Sequence, residues 1–225
     1  MRNGRSNTQQ SRSQNRGKAV TMTPNTIVVR KLHRMATVGL NSVNANGGTE
    51  AFVALNTTIN QFGSASEMLT QYEKYRIRNL KIEIRPNCQN VGGLSDAVDR
   101  IAACYALNNF STAEMFYDPN TETAPDQEEV YGRDKLKIYR INPDAWKCIG
   151  DFRPKPRFTT SANALPALIS KDEWLSTDFP DIPHVGLRGV FKQDSSFWGA
   201  TASDSARFSV YFTATVEFQG YKSGP

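Results

Sequence analysis

The chain has 225 residues, of which 39% are hydrophobic, 10% aromatic and 22% charged. This length predicts one or two domains with enough apolar material for one sizeable core. No run of apolar residues approaches the ~20 that a membrane helix needs, which argues against an integral membrane protein. Residues 1–17 carry charges but no apolar run, so we expect no secretory signal.

Positive charge is concentrated at the start of the chain. Residues 1–34 contain no acidic side chain, since the first is Glu50, whereas the rest of the chain has 19 basic and 22 acidic residues, a net charge of −3. Such asymmetry indicates that a basic tail contacts nucleic acid or a membrane. The eight basic residues of this segment are Arg2, Arg5, Arg12, Arg16, Lys18, Arg30, Lys31 and Arg34.

The first 18 residues contain no Leu, Ile, Val, Phe, Tyr or Trp. A segment with nothing to bury cannot offset the entropy of ordering, so we predict a disordered arm over residues 1–26. Fully extended, 18 residues reach roughly 60 Å. The arm is interpreted as a phosphate-binding tether. The alternatives are a tail that only improves solubility and a nuclear-localisation signal.

The body begins with strand-like sequence. Ile27–Leu40 and Thr49–Thr58 are rich in β-branched and apolar residues and flank the turn signal Asn46-Gly47-Gly48, so they predict a hairpin. A short helix is predicted over Ala65–Gln71. In Tyr72–Pro86, apolar and charged residues alternate from position 80 to 85, which predicts a strand that ends at the proline.

The middle of the chain adds shorter elements. Ile101–Leu107 is a continuous apolar run of strand length, and the polar stretch Asn108–Gly132 is predicted to be a surface loop. The further predictions are strands over Leu136–Ile141, Trp146–Phe152 and His184–Lys192 and an extended segment over Arg153–Phe158.

The last predicted strand is the clearest. From Phe208 to Gln219, six apolar residues alternate with six more polar ones, which predicts one buried and one polar face. About eight strands without crossover helices favour antiparallel pairing. We therefore predict an all-β fold, an eight-stranded antiparallel jelly-roll sandwich over residues 27–225 behind the basic arm.

No pattern in the sequence indicates catalysis. His33 and His184 are the only histidines, and no phosphate-binding glycine loop is present. The protein is therefore predicted not to be an enzyme and to need no cofactor.

The sequence also predicts no metal site. Cys88, Cys104 and Cys148 are widely spaced, which argues against a disulfide scaffold or a structural zinc site. Asp96 and Asp99 are interpreted as a solvated loop and not as calcium ligands, because a fuller acidic cluster is lacking.

The basic arm, the strands and two long segments together carry a resemblance. The segments are YEKYRIRNLKIEIRP, with Tyr72, Tyr75, Arg76, Ile77 and Pro86, and RFSVYFTATVEFQGY near the C-terminus. This layout resembles the single jelly-roll capsid proteins of small circular Rep-encoding single-stranded DNA viruses. It is also similar to coat proteins of small plus-strand RNA plant viruses. The resemblance implies strands labelled B to I in two facing sheets, BIDG and CHEF.

The same resemblance implies self-assembly into a virion, most simply sixty copies in a T=1 icosahedral shell. The arms would point inward onto a single-stranded genome, with DNA favoured over RNA, and the host nucleus is a second location to consider. Residues 1–34 of sixty copies carry about 480 positive charges, which neutralise part of a genome of a few thousand nucleotides. Among these residues, Arg30, Lys31 and Arg34 are the candidates in the body for phosphate contacts.

Subunit contacts are predicted from loops, which carry recognition on a rigid sandwich. The candidates are residues 87–98, residues 108–132 and Arg153–Leu187. Trp146, Trp174 and Trp198 are interpreted as core residues or interface residues. Trp174 and Trp198 are the interface candidates, and Trp198 is preferred because it lies in a polar stretch.

Two other functions stay open at this point. One is a β-sandwich binding module, such as a lectin-like domain, with a basic tail. The other is a cellular nucleic-acid-binding protein with the same tail. The net charge of −3 on the rest of the chain disfavours the second, since such a domain would be expected to carry its own basic patch.

Overall fold

The computed structural model describes residues 26–39, 42–43, 49–86, 111–141, 145–158, 167–168, 173–193 and 207–222. Within them are two short α-helices, α1 (Ser66–Gln71) and α2 (Gln127–Tyr131), and two 3-10 turns, Ile59–Gln61 and Gly63–Ala65. The described strands are β1 (Val28–Gly39), β2 (Ser42–Val43), β3 (Thr49–Ala54), β4 (Tyr72–Pro86), β5 (Ser111–Tyr117), β6 (Lys137–Arg140), β7 (Lys147–Phe152), β8 (Lys155–Phe158), β9 (Ala167–Leu168), β10 (Leu175–Ser176), β11 (His184–Val185), β12 (Leu187–Gln193) and β13 (Arg207–Tyr221).

Two antiparallel sheets form the sandwich. In the first, the order is β1-β13-β4, and both β7 and β10 pair with the far edge of β4. In the second, the order is β2-β3-β12-β5-β6. When the long strands are lettered B to I along the chain, the first sheet has the order BIDG, formed by β1, β13, β4 and β7. The second sheet has the order CHEF, formed by β3, β12, β5 and β6. The predicted jelly roll is therefore confirmed.

The first sheet is centred on β4 and β13, which pair along almost their whole length. The alternation seen in the sequence is the alternation of burial: Ile82, Ile84 and Phe212 are almost fully enclosed, while the residues between them reach the other face. The second sheet supplies facing side chains such as Phe191, whose ring lies 5.4 Å from that of Phe208. Burying each of these large side chains contributes about 1.5–3 kcal/mol.

The predicted hairpin between the first two strand segments is wrong. β1 pairs along twelve positions with β13, at the other end of the chain, whereas β3 pairs with β2 and β12 in the second sheet. The glycine-rich turn signal is local, but the apolar face of β1 is buried by strands that are distant in sequence. Two β-rich runs on either side of a turn signal can therefore belong to different sheets, as β1 and β3 do.

The prediction of a surface loop over Asn108–Gly132 is also wrong in part, because β5 and α2 lie within it. Both faces of β5 are covered: Ala113 and Met115 face the main core, and Phe116 packs with Val130 of α2 in a second cluster. Burial on both faces removes the period-2 alternation that reveals a half-buried strand. Glu114 adds a charge to the strand, and it is nevertheless buried in an ion pair with Lys192, 2.9 Å away.

A buried arginine holds this segment against the second sheet. The side chain of Arg188 on β12 is 2% exposed, and its guanidinium donates to Asp118 at 2.7 Å and to both carboxylate oxygens of Glu129 at 2.6 and 2.7 Å. Its Nε also donates to the carbonyl of Thr123, at 2.9 Å. The hydrogen bonds from Arg188 to Glu129 lower the pKa of that carboxyl, and Arg133 lowers it further. One side chain therefore fixes three points along residues 118–129.

The other predicted elements fall into two groups. The helix before β4 and the strands at β4, β6, β7, β12 and β13 are confirmed, and the extended segment contains β8. Ile101–Leu107 lies outside the described residues.

Gly189 on β12 lies where the backbone of β5 passes very close. A Cβ built there would stand 2.0 Å from the carbonyl oxygen of Glu114, whereas one at Gly63 would meet nothing within 4 Å. We expect Gly189→Ala to lower the free energy of unfolding by about 3 kcal/mol, as overpacking does. Gly63→Ala, the matched control, should change it by no more than about 0.5 kcal/mol. Chemical denaturation measures both, and equal stabilities would contradict this packing.

His184 gives the fold a predicted dependence on pH. The ring is fully buried against Tyr75, and burial lowers its pKa from 6.5 to about 4, although Nδ1 lies 3.0 Å from the carbonyl of Ile182. Because folding favours the neutral ring, its contribution is complete above pH 6.5 and is lost as the pH falls towards 4, up to about 3 kcal/mol. Thermal unfolding between pH 7 and pH 4 should show this loss.

The substitution His184→Gln should flatten that pH dependence. His33→Gln alters the chain's other histidine, on an exposed face of β1, and serves as the matched control. The assignment fails if the two variants respond to pH alike.

Candidate nucleic-acid and assembly surface

The predicted phosphate-binding residues divide between the arm and β1. Five of them lie outside the described residues: Arg2, Arg5, Arg12, Arg16 and Lys18. The other three, Arg30, Lys31 and Arg34, all lie on β1. Arg30 and Lys31 are exposed and line a shallow surface cavity together with Glu67 of α1.

The alternation of β1 separates Arg34 from Lys31. Arg34 lies on the inner side of the strand, where its guanidinium carbon is 4.1 Å from the centre of the Phe212 ring. Its Nη2 donates to the carbonyl of Asn56 at 3.0 Å, and burial lowers the pKa of the guanidinium. Arg34 therefore ties β1 to the segment after β3, while Lys31 points to the opposite side of the sheet.

The side of the first sheet that faces away from the core is called the outer sheet face here. Pairing places Lys31 beside Thr215, His33 beside Thr213, and Met35 beside Tyr211. The face carries six cations and three carboxylates. Its members are Val29, Lys31, His33, Met35 and Thr37 of β1, Ser209, Tyr211, Thr213, Thr215, Glu217 and Gln219 of β13, Lys74, Arg76, Arg78, Asn79, Lys81, Glu83 and Arg85 of β4, and Cys148 and Asp151 of β7.

Ion pairs order the side chains of β4 on this face. Glu217 accepts from the Nε of Arg76 at 2.6 Å and lies 3.3 Å from the Nε of Arg78. The ammonium of Lys81 lies 2.7 Å from Glu83. Paired charges of this kind contribute little to stability at a surface, but they fix where the cations stand.

The tryptophans of the described chain lie on the same face. Trp174, just before β10, lies under Arg76, with the guanidinium carbon 4.3 Å from the ring centre. Trp146, just before β7, lies under Arg85 at 4.7 Å. Both are partly buried. They are surface residues held by arginines and not core residues. Trp198 lies outside the described residues.

Three rings form a continuous row across the outer sheet face. His33 and Tyr211 are stacked with centres 5.7 Å apart and planes at 13°, and the Nδ1 of His33 lies 3.2 Å from the hydroxyl oxygen of Thr213. Tyr211 and Trp146 follow with centres 5.6 Å apart. These three rings, with Arg85 over the last of them, are called the aromatic row below. Sequence reasoning missed it, because it depends on the register between strands that are far apart in the chain.

The described residues contain no group of three or more His, Cys, Asp or Glu side chains that could hold a metal ion. Asp96 and Asp99, like Cys88 and Cys104, lie outside them, and Cys148 is a free thiol. None of the described helices has the length and apolar character needed to cross a membrane.

The family model of the circovirus capsid protein matches residues 2–222, nearly the whole chain. The chain belongs to this family. It is a viral capsid protein, a structural component of a virion. The family assignment confirms the prediction that the chain is a shell protein and not an enzyme. No curated protein matches the sequence significantly.

Solved structures agree on the fold. The BFDV capsid protein in its 60-mer has a TM-score of 0.60 and 17% identity, with 91% of this chain and 98% of that chain covered. Its decameric form has a TM-score of 0.53 and 18% identity, with 86% and 100% covered. At such identities the likeness establishes the jelly roll of this capsid protein and nothing finer.

Proposed function

We propose that this capsid protein assembles with further copies of itself into a closed shell of sixty subunits and that its basic arm holds a single-stranded genome inside. The family assignment supports the shell, as does the fold shared with a protein that forms a 60-mer. The concentration of basic charge before β1 supports the role of the arm.

The charge distribution is the observation that carries the packaging role. A segment with eight cations and no acid precedes a remainder with a net charge of −3. Neutralising phosphates with Lys and Arg releases counterions and needs no fixed protein shape, so an arm of this composition can bind a genome of any sequence. The jelly roll can then supply shell contacts while the arms supply most of the charge.

The family favours DNA as the genome, although Arg and Lys bind the phosphates of DNA and RNA alike. The same basic segment also suits delivery of the protein to the host nucleus, where it would act as a localisation signal. Our proposed subunit contacts remain Trp174, Trp198 and the segments 87–98, 108–132 and 153–187.

Neutralising the arm should separate assembly from packaging. In the test variant, Arg2, Arg5, Arg12, Arg16 and Lys18 are all replaced by Gln. We expect closed particles of the same diameter in electron micrographs, with the ratio of absorbance at 260 to 280 nm falling from a nucleic-acid value to that of protein. The physical reason is the loss of most counterion release per subunit.

The matched control keeps the charge and changes the side chains. Replacing the four arm arginines by Lys should leave the absorbance ratio of purified particles as in the wild type. Full packaging by the neutral variant would overturn the role of the arm. A monomer or dimer of the wild-type protein across salt and pH would overturn the shell of sixty subunits.

A further inference from the structure

The aromatic row lies on the side of the first sheet that faces away from the core. The inner sides of the same strands supply the buried residues, among them Leu32, Ile84 and Phe212. On the opposite side, His33 is exposed and Tyr211 and Trp146 are only partly covered. The neighbouring apolar side chain of Met35 is 66% exposed. The rings therefore offer apolar, planar surface to a ligand on the outer sheet face.

Arginine completes the row with a second planar group. The guanidinium of Arg85 lies over Trp146, 4.7 Å from the ring centre, and both are on the outer sheet face. Flat aromatic and guanidinium groups are the surfaces on which unpaired bases stack, with little regard to sequence because every base has a π-face. Bases inside a duplex are already stacked and cannot use such a surface.

The charge around the row suits the same ligand. The outer sheet face carries six cations, Lys31, Lys74, Arg76, Arg78, Lys81 and Arg85, against three carboxylates. Five of these cations lie beyond residue 34, in a part of the chain whose net charge is −3. Cations beside stacking rings match a strand that presents phosphates along one edge and bases along the other.

The arm directly precedes the edge strand of this sheet. β1 begins at Val28, directly after the basic segment, and β1 is the edge strand that carries Lys31 and His33. From Val28 to Met35 the strand advances roughly 23 Å. A nucleic acid gathered by the arm is therefore delivered within reach of the row.

We propose that the aromatic row is a stacking site for the unpaired bases of a single-stranded nucleic acid whose phosphates lie along the cations of the outer sheet face. The proposal rests on the packaging function proposed above and extends it from the arm to the sheet. It assigns the arm to phosphates alone, since residues 1–18 have no aromatic side chain, and the sheet to bases.

Two oligomers of equal charge test it on the full-length protein. One is a 20-mer of thymidylate, and the other is a 20-mer in which every base is missing. In the test variant, Tyr211→Leu is combined with Trp146→Leu, which removes two rings without changing charge. We expect binding of the thymidylate oligomer to weaken tenfold or more at fixed salt, since each lost ring removes a surface on which a base stacks. Binding of the baseless oligomer should not change.

The matched control combines Tyr211→Phe with Trp146→Phe, which keeps the rings, and should bind thymidylate within a few-fold of the wild type. Because a leucine variant can fail to fold, ultraviolet crosslinking of thymidylate to the wild-type protein gives a second measurement. Crosslinked peptides should contain Tyr211 or Trp146. Crosslinks confined to other peptides would overturn the proposal.

Three results distinguish the remaining possibilities. Equal wild-type affinity for the two oligomers would overturn the stacking site and leave the arm untouched. A leucine variant that keeps thymidylate binding but no longer forms particles would overturn it in favour of contact with a second copy of the chain. The arm hypothesis fails separately, if the Gln variant of the arm still binds the baseless oligomer as the wild type does.

Discussion

The fold depends on the pairing of β4 with β13. The two strands are hydrogen-bonded along almost all of their length, and each gives one side to the core and the other to the outer sheet face. β1 attaches to one edge of this pair, and β7 and β10 attach to the other. Because side chains alternate strictly along a strand, the register of this one pair decides which charges and rings share a surface. A bulge at Thr215/Val216 is accommodated without losing the burial of either flank.

The sequence revealed those strands whose two faces differ. β4 and β13 lie with one side buried, and their alternation predicted them, as well as the sheet that they form. β5 escaped prediction because it is covered on both sides and holds its Glu114 in a buried pair with Lys192. The partner of β1 escaped as well, because local turn signals say nothing about a strand at the far end of the chain.

The same distinction holds for the candidate site. Lys31 could be predicted from charge alone, and the structure places it on the outer sheet face. Strand register is needed to predict that Arg34 points to the opposite side of β1. It is also needed to predict that the rings of His33, Tyr211 and Trp146 meet. The outer faces of the two sheets also differ in how far they are covered. On the second sheet, Val130 of α2 packs onto Phe116, and Arg188 holds this covering segment through hydrogen bonds at three points. On the first sheet, Met35 stays 66% exposed.

The pairing of β1 with β13 also sets the order of events during synthesis. His33 and Thr213, which touch in the folded protein, are 180 residues apart in the chain. At typical translation rates of 5–20 residues per second, the ribosome needs roughly 10–40 s to produce the second after the first. Throughout that interval β1 has no partner and the first sheet cannot close. A chain released early therefore lacks the complete first sheet, so only full-length subunits have the paired β1 that follows the basic segment.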